Sequence, residues 1–470
     1  MILLDGGRQQ TLTHTFARGS NGIHLMSLPV SPITGSAAEV LGIPERDLLL
    51  ARWDPSAPPN GAYKIWPNCP PFALGRGFWL RVPHDLQVVV TGVASRGQDR
   101  VLVPLELGWN MVGCPRLEPV PLGEVKVVVG TDPPITLAEA ASKRHLQAGI
   151  FRYVQGAGYE LVEDALVPFE GYWVRVLNPA GCSLAFEPLA SAASATPSKS
   201  THPLAQPDWK LRIVAAASGG DRGSAYLGEA AEASGGFDPL LDCVQPPVIA
   251  PGVRVSFVHR EGNQEQRYLA DVRGPEPGER IWELEVTSDL PNQPVTLTWP
   301  DLSSVPPDLK MVLADPATGQ RVAMRTAASY RIRGSDHGVQ RRLRVEVAPA
   351  RSGSLVISAL SATAREQGVE VVYSLSCDAS SDVRVLNIAG RQVRQIVTDR
   401  QQSAGRNVVT WNLRDDRGNR VPNGAYLVEI RARALDGQCA RAVRTVRVVR
   451  RCLRPTWPHS PLTWGALGGC

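Results

Sequence analysis

The sequence predicts a mainly β, multi-domain protein, and three observations lead to this fold class. First, a chain of 470 residues is long for one hydrophobic core and fits three or four domains. Second, 43 glycines and 39 prolines with only 6% aromatic residues are typical of turn-rich β modules. Third, short segments of alternating apolar and polar residues recur along the chain, which is the period of strands that bury one face.

The first two modules are β-rich repeats, predicted at residues 22–107 and 108–189. Three pairs of strand-like motifs recur in both copies: 22–29 with 108–115, 51–53 with 151–153, and 77–82 with 171–176. The spacing between the pairs changes while the motifs stay intact, so the differences in length fall in loops. The two copies are therefore expected to share one arrangement of strands.

Each copy is predicted to carry one short helix between its first and second motif. Thr136 and Glu139 form a capping box that begins a helix over residues 136–146, and Ser36 with Glu39 begins its shorter counterpart. Each repeat is then a handful of strands with one helix.

The closing motifs place Trp79 and Trp173 at the same position of the two copies. Arg81 and Arg175 follow two residues later, on the same face of each strand. We expect the two copies together to bury the tryptophans, with the arginine heads at the rim or stacked on an aromatic ring. The predicted result is a pseudo-symmetric pair of units that meet through aromatic side chains.

The next segment, 190–207, is rich in Ala, Ser, Thr and Pro and is predicted to be a linker. A β-sandwich is predicted at 208–350, because six alternating strands separated by Gly, Pro and Asp turns follow one another there. These strands are predicted at 209–213, 253–257, 282–286, 295–299, 311–313 and 343–347.

A second sandwich is predicted at 353–450 and is centred on Trp411. Residues 408–413 alternate apolar with polar, and a turn-rich stretch of Asp, Gly, Pro and Asn joins them to the next alternating strand at 425–430. The other strands are predicted at 369–376, 382–391, 393–397 and 442–449. The tail 451–470 has no periodicity that predicts structure.

The order of motifs in this last module resembles the immunoglobulin-like domain of the flagellar hook-capping protein FlgD, which also ends Vpr-type secreted peptidases. The resemblance rests on the Ala-Gly-Arg before the strand, on Trp411, on the Asp-Gly turn and on the Pro-x-Gly-x-Tyr that ends at Tyr426. It covers about eighty residues and implies an Ig-like β-sandwich of bacterial surface or secreted proteins. Similar C-terminal sandwiches act as sorting domains for type IX secretion, but here a further twenty residues follow Arg450.

The charge pattern argues against nucleic acid as a partner. The net charge of +5 is spread along the chain without a run of like charges, so neither a nucleic-acid-binding tail nor a basic membrane helix is indicated. No apolar run is long enough to span a bilayer, and the N-terminus has no segment of signal-peptide type. We expect that the chain is the C-terminal portion of a larger secreted protein.

The eight cysteines are scattered, and none forms a Cys-x-x-Cys pair, so zinc ribbons and thioredoxin-type chemistry are not indicated. Most are expected to be buried thiols. If a disulfide forms, the pair to test first is Cys114 with Cys182, because both lie at strand ends of one repeat.

Two sets of residues are candidates for a binding site. Loop aspartates at 221, 238, 242 and 271 and the Asp415-Asp416 turn carry oxygen ligands of the kind that Ca²⁺ requires, although turn-forming aspartates are the favoured interpretation. Aromatic residues of the repeats resemble the platforms that stack on sugars, although core packing is favoured. They are Trp53, Tyr63, Trp66, Phe78 and Trp79 in the first copy and Tyr153, Tyr159, Tyr172 and Trp173 in the second.

No motif of a hydrolase or nucleotide-binding enzyme occurs, so no catalytic, cofactor-binding or metal residue is assigned and the protein is predicted not to be an enzyme. The hypothesis is a non-catalytic, modular structural, adhesion or anchoring protein, or a C-terminal fragment of one, that works extracellularly or at the cell surface. Its expected partners are cell-envelope proteins or polysaccharide. Alternatives are the accessory C-terminal region of a secreted peptidase or glycosidase, and a carbohydrate-binding module.

Overall fold

The computed structural model describes residues 8–33, 35–188, 205–249, 251–261, 264–276, 278–349, 355–365, 368–434 and 437–449. The protein is about 55% strand and 4% helix, which confirms the mainly β fold class. It consists of two compact units, Met1–Ala350 and Arg351–Cys470, called unit 1 and unit 2 below. Among the described residues no helix is long and apolar enough to cross a membrane.

The repeats of unit 1 contain seventeen short strands, two α-helices and two 3-10 turns. The strands are β1 (Arg8–Phe16), β2 (Ile23–Ser27), β3 (Ser31–Pro32), β4 (Leu49–Asp54), β5 (Ala62–Ile65), β6 (Gly77–Arg81), β7 (Leu86–Ala94), β8 (Val101–Leu105), β9 (Gly108–Gly113), β10 (Val120–Pro121), β11 (Val125–Val128), β12 (Ile135–Thr136), β13 (Phe151–Val154), β14 (Gly158–Leu161), β15 (Ala165–Leu166), β16 (Gly171–Val176) and β17 (Cys182–Phe186). The helices are α1 (Ala37–Leu41) and α2 (Leu137–Ser142), and the 3-10 turns are Glu45–Asp47 and Leu122–Glu124.

The two repeats have the same sheet topology. Repeat 1 forms a four-stranded sheet in the order β2-β6-β4-β5, and repeat 2 forms one in the order β9-β16-β13-β14. Each sheet thus begins with the first motif, places the closing motif beside it and ends with the hairpin of the middle motif. Three smaller sheets lie beside them: β1-β7-β3, β12-β11-β17-β8 and the two-stranded β10-β15.

Both capping boxes form as the sequence predicts. The Thr136 hydroxyl accepts a bond from the Glu139 backbone N–H at 3.1 Å, and Ser36 does the same for Glu39 at 3.3 Å. Helix α2 is shorter than predicted, because Arg144 lies in the left-handed region at φ 56° and ends it after Ser142. The prediction of a helix over 136–146 was therefore wrong in its length.

The remainder of unit 1 is one eleven-stranded sheet. Its strands are β18 (Trp209–Ala217), β19 (Arg222–Glu229), β20 (Cys243–Val244), β21 (Val253–Glu261), β22 (Gln264–Arg273), β23 (Arg280–Ser288), β24 (Val295–Thr298), β25 (Leu309–Asp315), β26 (Gln320–Ala323), β27 (Ser329–Ile332) and β28 (Val339–Pro349). They lie in the order β26-β25-β28-β23-β21-β22-β19-β18-β24-β27, with β20 also paired to β22.

Strand β22 joins the two halves of this sheet. Its first part pairs with β21 through Tyr268, and its second part pairs in parallel with β19 from Ala270 onward. Residues from both halves, such as Ile213 of β18 and Leu313 of β25, bury into one core. The predicted β-sandwich is thus a single continuous sheet whose halves enclose that core.

Unit 2 is the predicted C-terminal sandwich, with seven strands in two sheets. The strands are β29 (Ile357–Arg365), β30 (Gly368–Leu375), β31 (Ala379–Asn387), β32 (Gln392–Gln402), β33 (Gly405–Trp411), β34 (Gly424–Ala434) and β35 (Cys439–Val448). One sheet has the order β29-β30-β33 and the other β32-β31-β34-β35. Trp411 is 1% exposed, and its ring meets that of Tyr426 edge to face at 5.3 Å in the core between the sheets.

Cys114 and Cys182, the pair to test first for a disulfide, are both free, buried thiols, as expected for most of the cysteines. Strands β9 and β17 belong to different sheets, and the Cys114 sulfur turns to the carbonyl oxygens of Arg116 and Glu118 at 3.7 and 3.6 Å. Burial raises the pKa of the Cys114 thiol to about 11, so the protonated form is kept.

Two predicted segments lie outside the described residues: the tail 451–470 and, except for residues 205–207, the linker 190–207. The division of unit 1 into 22–107, 108–189 and 208–350 stays a prediction.

Candidate functional site

The two repeats meet across a pseudo-two-fold axis. Met26 of β2 forms an isolated bridge with Glu170, and its counterpart Val112 of β9 forms one with Arg76. The Ser27 N–H donates to the Phe169 carbonyl at 3.0 Å, and the equivalent Gly113 N–H donates to the Gly75 carbonyl at 3.0 Å. These two contacts from repeat 1 to repeat 2 are thus matched by equivalent contacts from repeat 2 to repeat 1.

Glycine is required where these backbones cross. A Cβ atom at Gly77 would lie 2.7 Å from the Val112 carbonyl oxygen, and one at the equivalent Gly171 would lie 2.8 Å from that of Met26. Real Cβ atoms do not approach backbone oxygens so closely, so any larger residue would push the repeats apart. The glycine that opens each closing motif therefore serves the contact between the copies.

Aromatic rings pack between the sheets with the same symmetry. Trp53 meets Trp173 at 6.1 Å between ring centroids, and the equivalent pair, Tyr153 and Trp79, meets at 5.0 Å, both edge to face. Trp79 and Trp173 are 2% and 0% exposed, which confirms that they hold equivalent, buried positions. Edge-to-face pairs of this kind stabilise a core beyond the area that they bury.

The face of this aromatic cluster is filled by an extended segment of the following sandwich, residues 245–249, called the strap. The hydroxyls of Tyr63 and Tyr159 both donate to the carbonyl oxygen of Pro247. These two tyrosines hold equivalent positions. Tyr63 pairs with Trp53 across the hairpin of repeat 1, and Tyr159 pairs with Tyr153 across the hairpin of repeat 2. One carbonyl on the pseudo-two-fold axis therefore binds a donor from each repeat.

The strap continues along the cluster through its side chains. Pro246 is buried, Pro247 is half-buried, and Ile249 packs against the cluster beside Leu269 of β22. Burial raises the pKa of Tyr63 and Tyr159 above the ordinary value, and the indoles of Trp79 and Trp173 partly oppose that rise. Both phenols hence stay protonated and act as donors.

The aromatic residues do not form an exposed sugar-binding platform. Of the nine predicted aromatics, Phe78, Trp79, Tyr172 and Trp173 are buried and the other five are half-buried. Trp53, Tyr63, Trp79, Tyr153, Tyr159 and Trp173 pack together in the aromatic cluster. Trp66 and Phe78 pack in the core of repeat 1, and Tyr172 packs in that of repeat 2. Core packing is the interpretation that the geometry supports.

The two arginines of the closing motifs differ in their surroundings. Arg175 stacks over the Phe237 ring at 5.3 Å, as expected for an arginine at the rim of an aromatic core. Arg81 is exposed. The difference arises because a loop of the following sandwich covers repeat 2 at this point.

Of the four aspartates predicted to lie in loops, Asp238 and Asp242 accept hydrogen bonds within a turn, whereas Asp271 lies on strand β22. The Asp238 carboxylate accepts from the N–H of Ser234 at 2.7 Å, and that of Asp242 accepts from the N–H groups of Asp238 and Val272, each at 2.8 Å. Asp271 is paired with Arg273 at 2.8 Å. Throughout the described segments, no three His, Cys, Asp or Glu side chains are placed to hold a metal. Asp221 lies apart from the turn, where it lines a groove beside Tyr153.

Asp242 is the most perturbed acid of this group. It is 3% exposed, and burial, with the nearby charges of Asp271 and Asp238, raises its pKa to about 8 although its two backbone donors oppose the rise. A raised pKa is typical of catalytic acids, but this carboxyl is enclosed by its own loop and does not face a cavity.

A polar cleft of about 390 Å³ lies between repeat 2 and the sandwich. Its charged lining residues are Arg152, Glu160, Glu163, Asp164 and Arg212. Arg152 pairs with Glu160 at 3.4 Å, and the Arg212 guanidinium lies 5.8 Å from the centre of the Tyr226 ring. Arg212 also donates to the Ser224 hydroxyl at 3.4 Å.

In unit 2 the polar features are structural too. Asp415 accepts from the N–H groups of Arg417 and Asn419 at 3.0 and 2.7 Å, so its turn is an Asx turn. On the outer face of the β31-β34-β35 sheet, the fully buried Glu429 is contacted by Arg384, Arg431 and Arg441. Three guanidinium groups compensate the buried carboxylate, which would otherwise be very costly.

Unit 2 has two sheets packed around Trp411 and Tyr426, and a comparison with known families finds an Ig-like domain in the same region. Residues 358–436 match the FlgD Ig-like domain. The match lies wholly within unit 2, so this region is similar to the FlgD Ig-like domain, as its motifs indicated.

Two other comparisons add little. No curated protein sequence matches the chain. Among solved structures the chain is similar to the tetra-tandem repeat in the extending region of a large adhesion protein, with 12% identity over 86% of this chain and 91% of that chain, at a TM-score of 0.16. A TM-score of this size does not indicate a shared arrangement of domains.

Sequence reasoning missed the strap and the acceptor role of Pro247. A carbonyl group carries no side-chain signature, and residues 245–249 show no periodicity. The one available signal was the Pro246-Pro247 pair, which is typical of an extended segment that docks on aromatic rings.

Proposed function

We propose that the protein is a non-catalytic, modular structural element that anchors or adheres outside the bacterial cytoplasm, secreted or at the cell surface. The observation that carries this proposal is the closed aromatic cluster: the residues best suited to bind a small ligand are used to fix two repeats and a sandwich to one another. The similarity of unit 2 to the FlgD Ig-like domain supports the modular interpretation. Cell-envelope proteins are its proposed partners.

The cellular location is tested on intact cells of the source bacterium. An antibody against the chain should bind without permeabilisation, and brief treatment with an external protease should remove the signal. A cytoplasmic protein of the same cells serves as the control and should resist the protease. A signal confined to the cytosolic fraction would overturn the location.

The non-catalytic role is tested with the purified chain. Casein and soluble polysaccharides should remain intact during incubation with the protein, because its sequence carries no motif of a hydrolase. Hydrolysis of either substrate above the buffer blank, if it persists after repurification of the protein, would contradict the non-catalytic role.

Polysaccharide binding is the competing outcome and needs its own measurement. Insoluble glycans should not retain the protein in an affinity gel, because the rings of the cluster are covered. Retention of the wild type with release of a folded Trp79→Ala variant would replace the structural role with a carbohydrate-binding one.

A further inference from the structure

Repeat 2 holds a loop of the following sandwich, residues 235–239, called the Phe237 loop. The guanidinium groups of Arg175 and Arg144 lie 5.3 and 5.8 Å from the centre of the Phe237 ring. Arg144 also donates to the Phe237 carbonyl at 3.2 Å, and the Ala148 N–H donates to the Pro239 carbonyl at 2.9 Å. Repeat 2 therefore binds an aromatic side chain through stacked arginines and backbone bonds.

Repeat 1 has the corresponding surface, because its strands follow the same order. Arg81 is the counterpart of Arg175, and Leu49 is the counterpart of Gly149. Gly149 is covered so closely that a Cβ atom there would lie 2.5 Å from the Cys243 sulfur, whereas Leu49 is 52% exposed. The surface that repeat 2 uses to hold its neighbour is thus open on repeat 1.

This open surface is a groove of about 630 Å³. Apolar side chains and the positive groups Arg18, Arg46 and Arg81 line it, with Asp47 as the one carboxylate among the described lining residues. Arg46 lies 3.5 Å from Asp47, while Arg18 and Arg81 are both exposed. A ring that stacks on Arg81, next to an acidic group, would complement both the apolar and the positive parts of this lining.

We propose that the groove of repeat 1 binds a loop of a partner protein that presents an aromatic side chain beside an acidic one, as the Phe237 loop presents Phe237 beside Asp238. Two features of repeat 2 are not shared. The helix and middle motifs of the copies are offset by 100 residues, so Pro44 stands where repeat 2 has Arg144, and repeat 1 has one stacking arginine in place of two. The Leu48 N–H donates to the Glu45 carbonyl at 3.4 Å within the 3-10 turn, so it does not reproduce the bond from Ala148. Binding in repeat 1 then depends on ring stacking and apolar contact, and it is weaker than the covalently tethered contact in repeat 2.

The probe is a cyclic peptide with the sequence of residues 234–240, Ser-Gly-Gly-Phe-Asp-Pro-Leu, added to the full chain. Cyclisation keeps the loop geometry, so less ordering entropy opposes binding. We expect saturable binding in an NMR or fluorescence titration, at least about tenfold weaker for the Arg81→Glu variant, which loses the stacked cation. Leu49→Ser should weaken binding as well.

Matched controls decide where the peptide binds. Arg96→Glu makes the same charge change on an exposed arginine outside the groove and should leave binding unchanged. A peptide with alanine in place of phenylalanine should not bind. The proposal is overturned by absence of saturable binding up to millimolar peptide, or by binding that persists in Arg81→Glu but is lost in Arg144→Glu, which would place the peptide on repeat 2. None of these outcomes depends on the cellular location proposed above.

Discussion

At the scale of single residues, one carbonyl group connects three modules of unit 1. Pro247 accepts from Tyr63 of repeat 1 and from Tyr159 of repeat 2, and it belongs to the segment that leads into the sandwich. If one tyrosine hydroxyl is removed, the Pro247 carbonyl oxygen still accepts a hydrogen bond from the other. If both are removed, it loses both of these donors. We therefore expect either hydroxyl to compensate for the loss of the other.

The first prediction follows from this redundancy. The single variants Tyr63→Phe and Tyr159→Phe should each lower the free energy of unfolding of unit 1 by less than about 1 kcal/mol. The double variant should cost about 1–3 kcal/mol, more than the sum of the two, as measured by urea denaturation in a double-mutant cycle. Tyr226→Phe, which keeps its ring beneath Arg212, is the control. Strict additivity of the two changes would show that the hydroxyls do not share one acceptor.

The second prediction concerns the pH dependence that Asp242 causes. Its pKa is about 8 in the folded chain and 3.8 ordinarily, so between these values the folded state holds a proton that the unfolded state has released. The free energy of unfolding should therefore fall as the pH rises from about 4 to about 8, by at most about 1.4 kcal/mol per pH unit. The Asp242→Asn variant should lack this part of the pH dependence. The measurement is the free energy of unfolding of the variant and of the wild type at each pH, and the difference between the two should change with pH. A variant with the wild-type slope would contradict the raised pKa.

The sequence predicted the turn formed by Asp415 and the equivalent positions of Trp79 and Trp173, but not the raised pKa of Asp242. The Asp415-Asp416-Arg417-Gly418-Asn419 stretch predicted a turn, and Asp415 forms an Asx turn there, because an aspartate side chain accepts from nearby backbone N–H groups. The high pKa of Asp242 had no sequence signal, since it arises from burial under elements distant along the chain. Trp79 and Trp173 were identified because two copies of one motif could be compared.

At the scale of elements, the repeats depend on close backbone crossings. Strand β6 approaches β9 at Gly77, and strand β16 approaches β2 at Gly171, so both crossings have the same geometry. Pseudo-symmetry implies that equivalent substitutions should have similar energetic costs. This expectation is specific to a duplicated structure.

The third prediction tests that expectation. Gly77→Ala and Gly171→Ala should each lower the free energy of unfolding of unit 1 by about 1–3 kcal/mol, because the added methyl group meets a backbone oxygen. Gly123→Ala is the matched control, since a Cβ atom there has no neighbour within 4 Å, and it should change stability by less than about 0.5 kcal/mol. A large difference between the two test variants would contradict the symmetric crossing.

Strand prediction was incomplete in both sandwiches. The six strands predicted in the middle module all form, because their apolar residues face one core. Strand β19 was missed, since it is buried along almost its whole length and its Gly and Ala residues hide the alternation. Strand β29 was missed for the opposite reason, because most of its residues are exposed and few are large and apolar.

At the scale of the whole molecule, each unit has its own core. Trp411 and its neighbours are packed within unit 2, and the aromatic cluster and the eleven-stranded sheet belong to unit 1. A change in one core should consequently leave the stability of the other unit unaltered, which holds when domains unfold as separate cooperative units.

The fourth prediction is that Trp411→Ala destabilises unit 2 by about 3–5 kcal/mol, as truncation of a buried tryptophan does. Hydrogen exchange should accelerate in residues 368–434 and stay unchanged in 209–249. Val408→Ala, on the same strand but 45% exposed, should cost less than about 0.5 kcal/mol. Faster exchange in both ranges would show that the units do not unfold separately.

The strap also has a consequence for chain direction. A polypeptide has an N-terminal and a C-terminal end, whereas a two-fold axis makes the two directions across it equivalent. Two identical repeats would therefore bind a segment on that axis equally well in either direction. The copies are not identical: Trp53 of one faces Trp173, while Tyr153 of the other faces Trp79. Residues 245–249 are joined to β20 at one end and lead to β21 at the other, so their direction across the axis is set by the chain connection and by features that the two copies do not share.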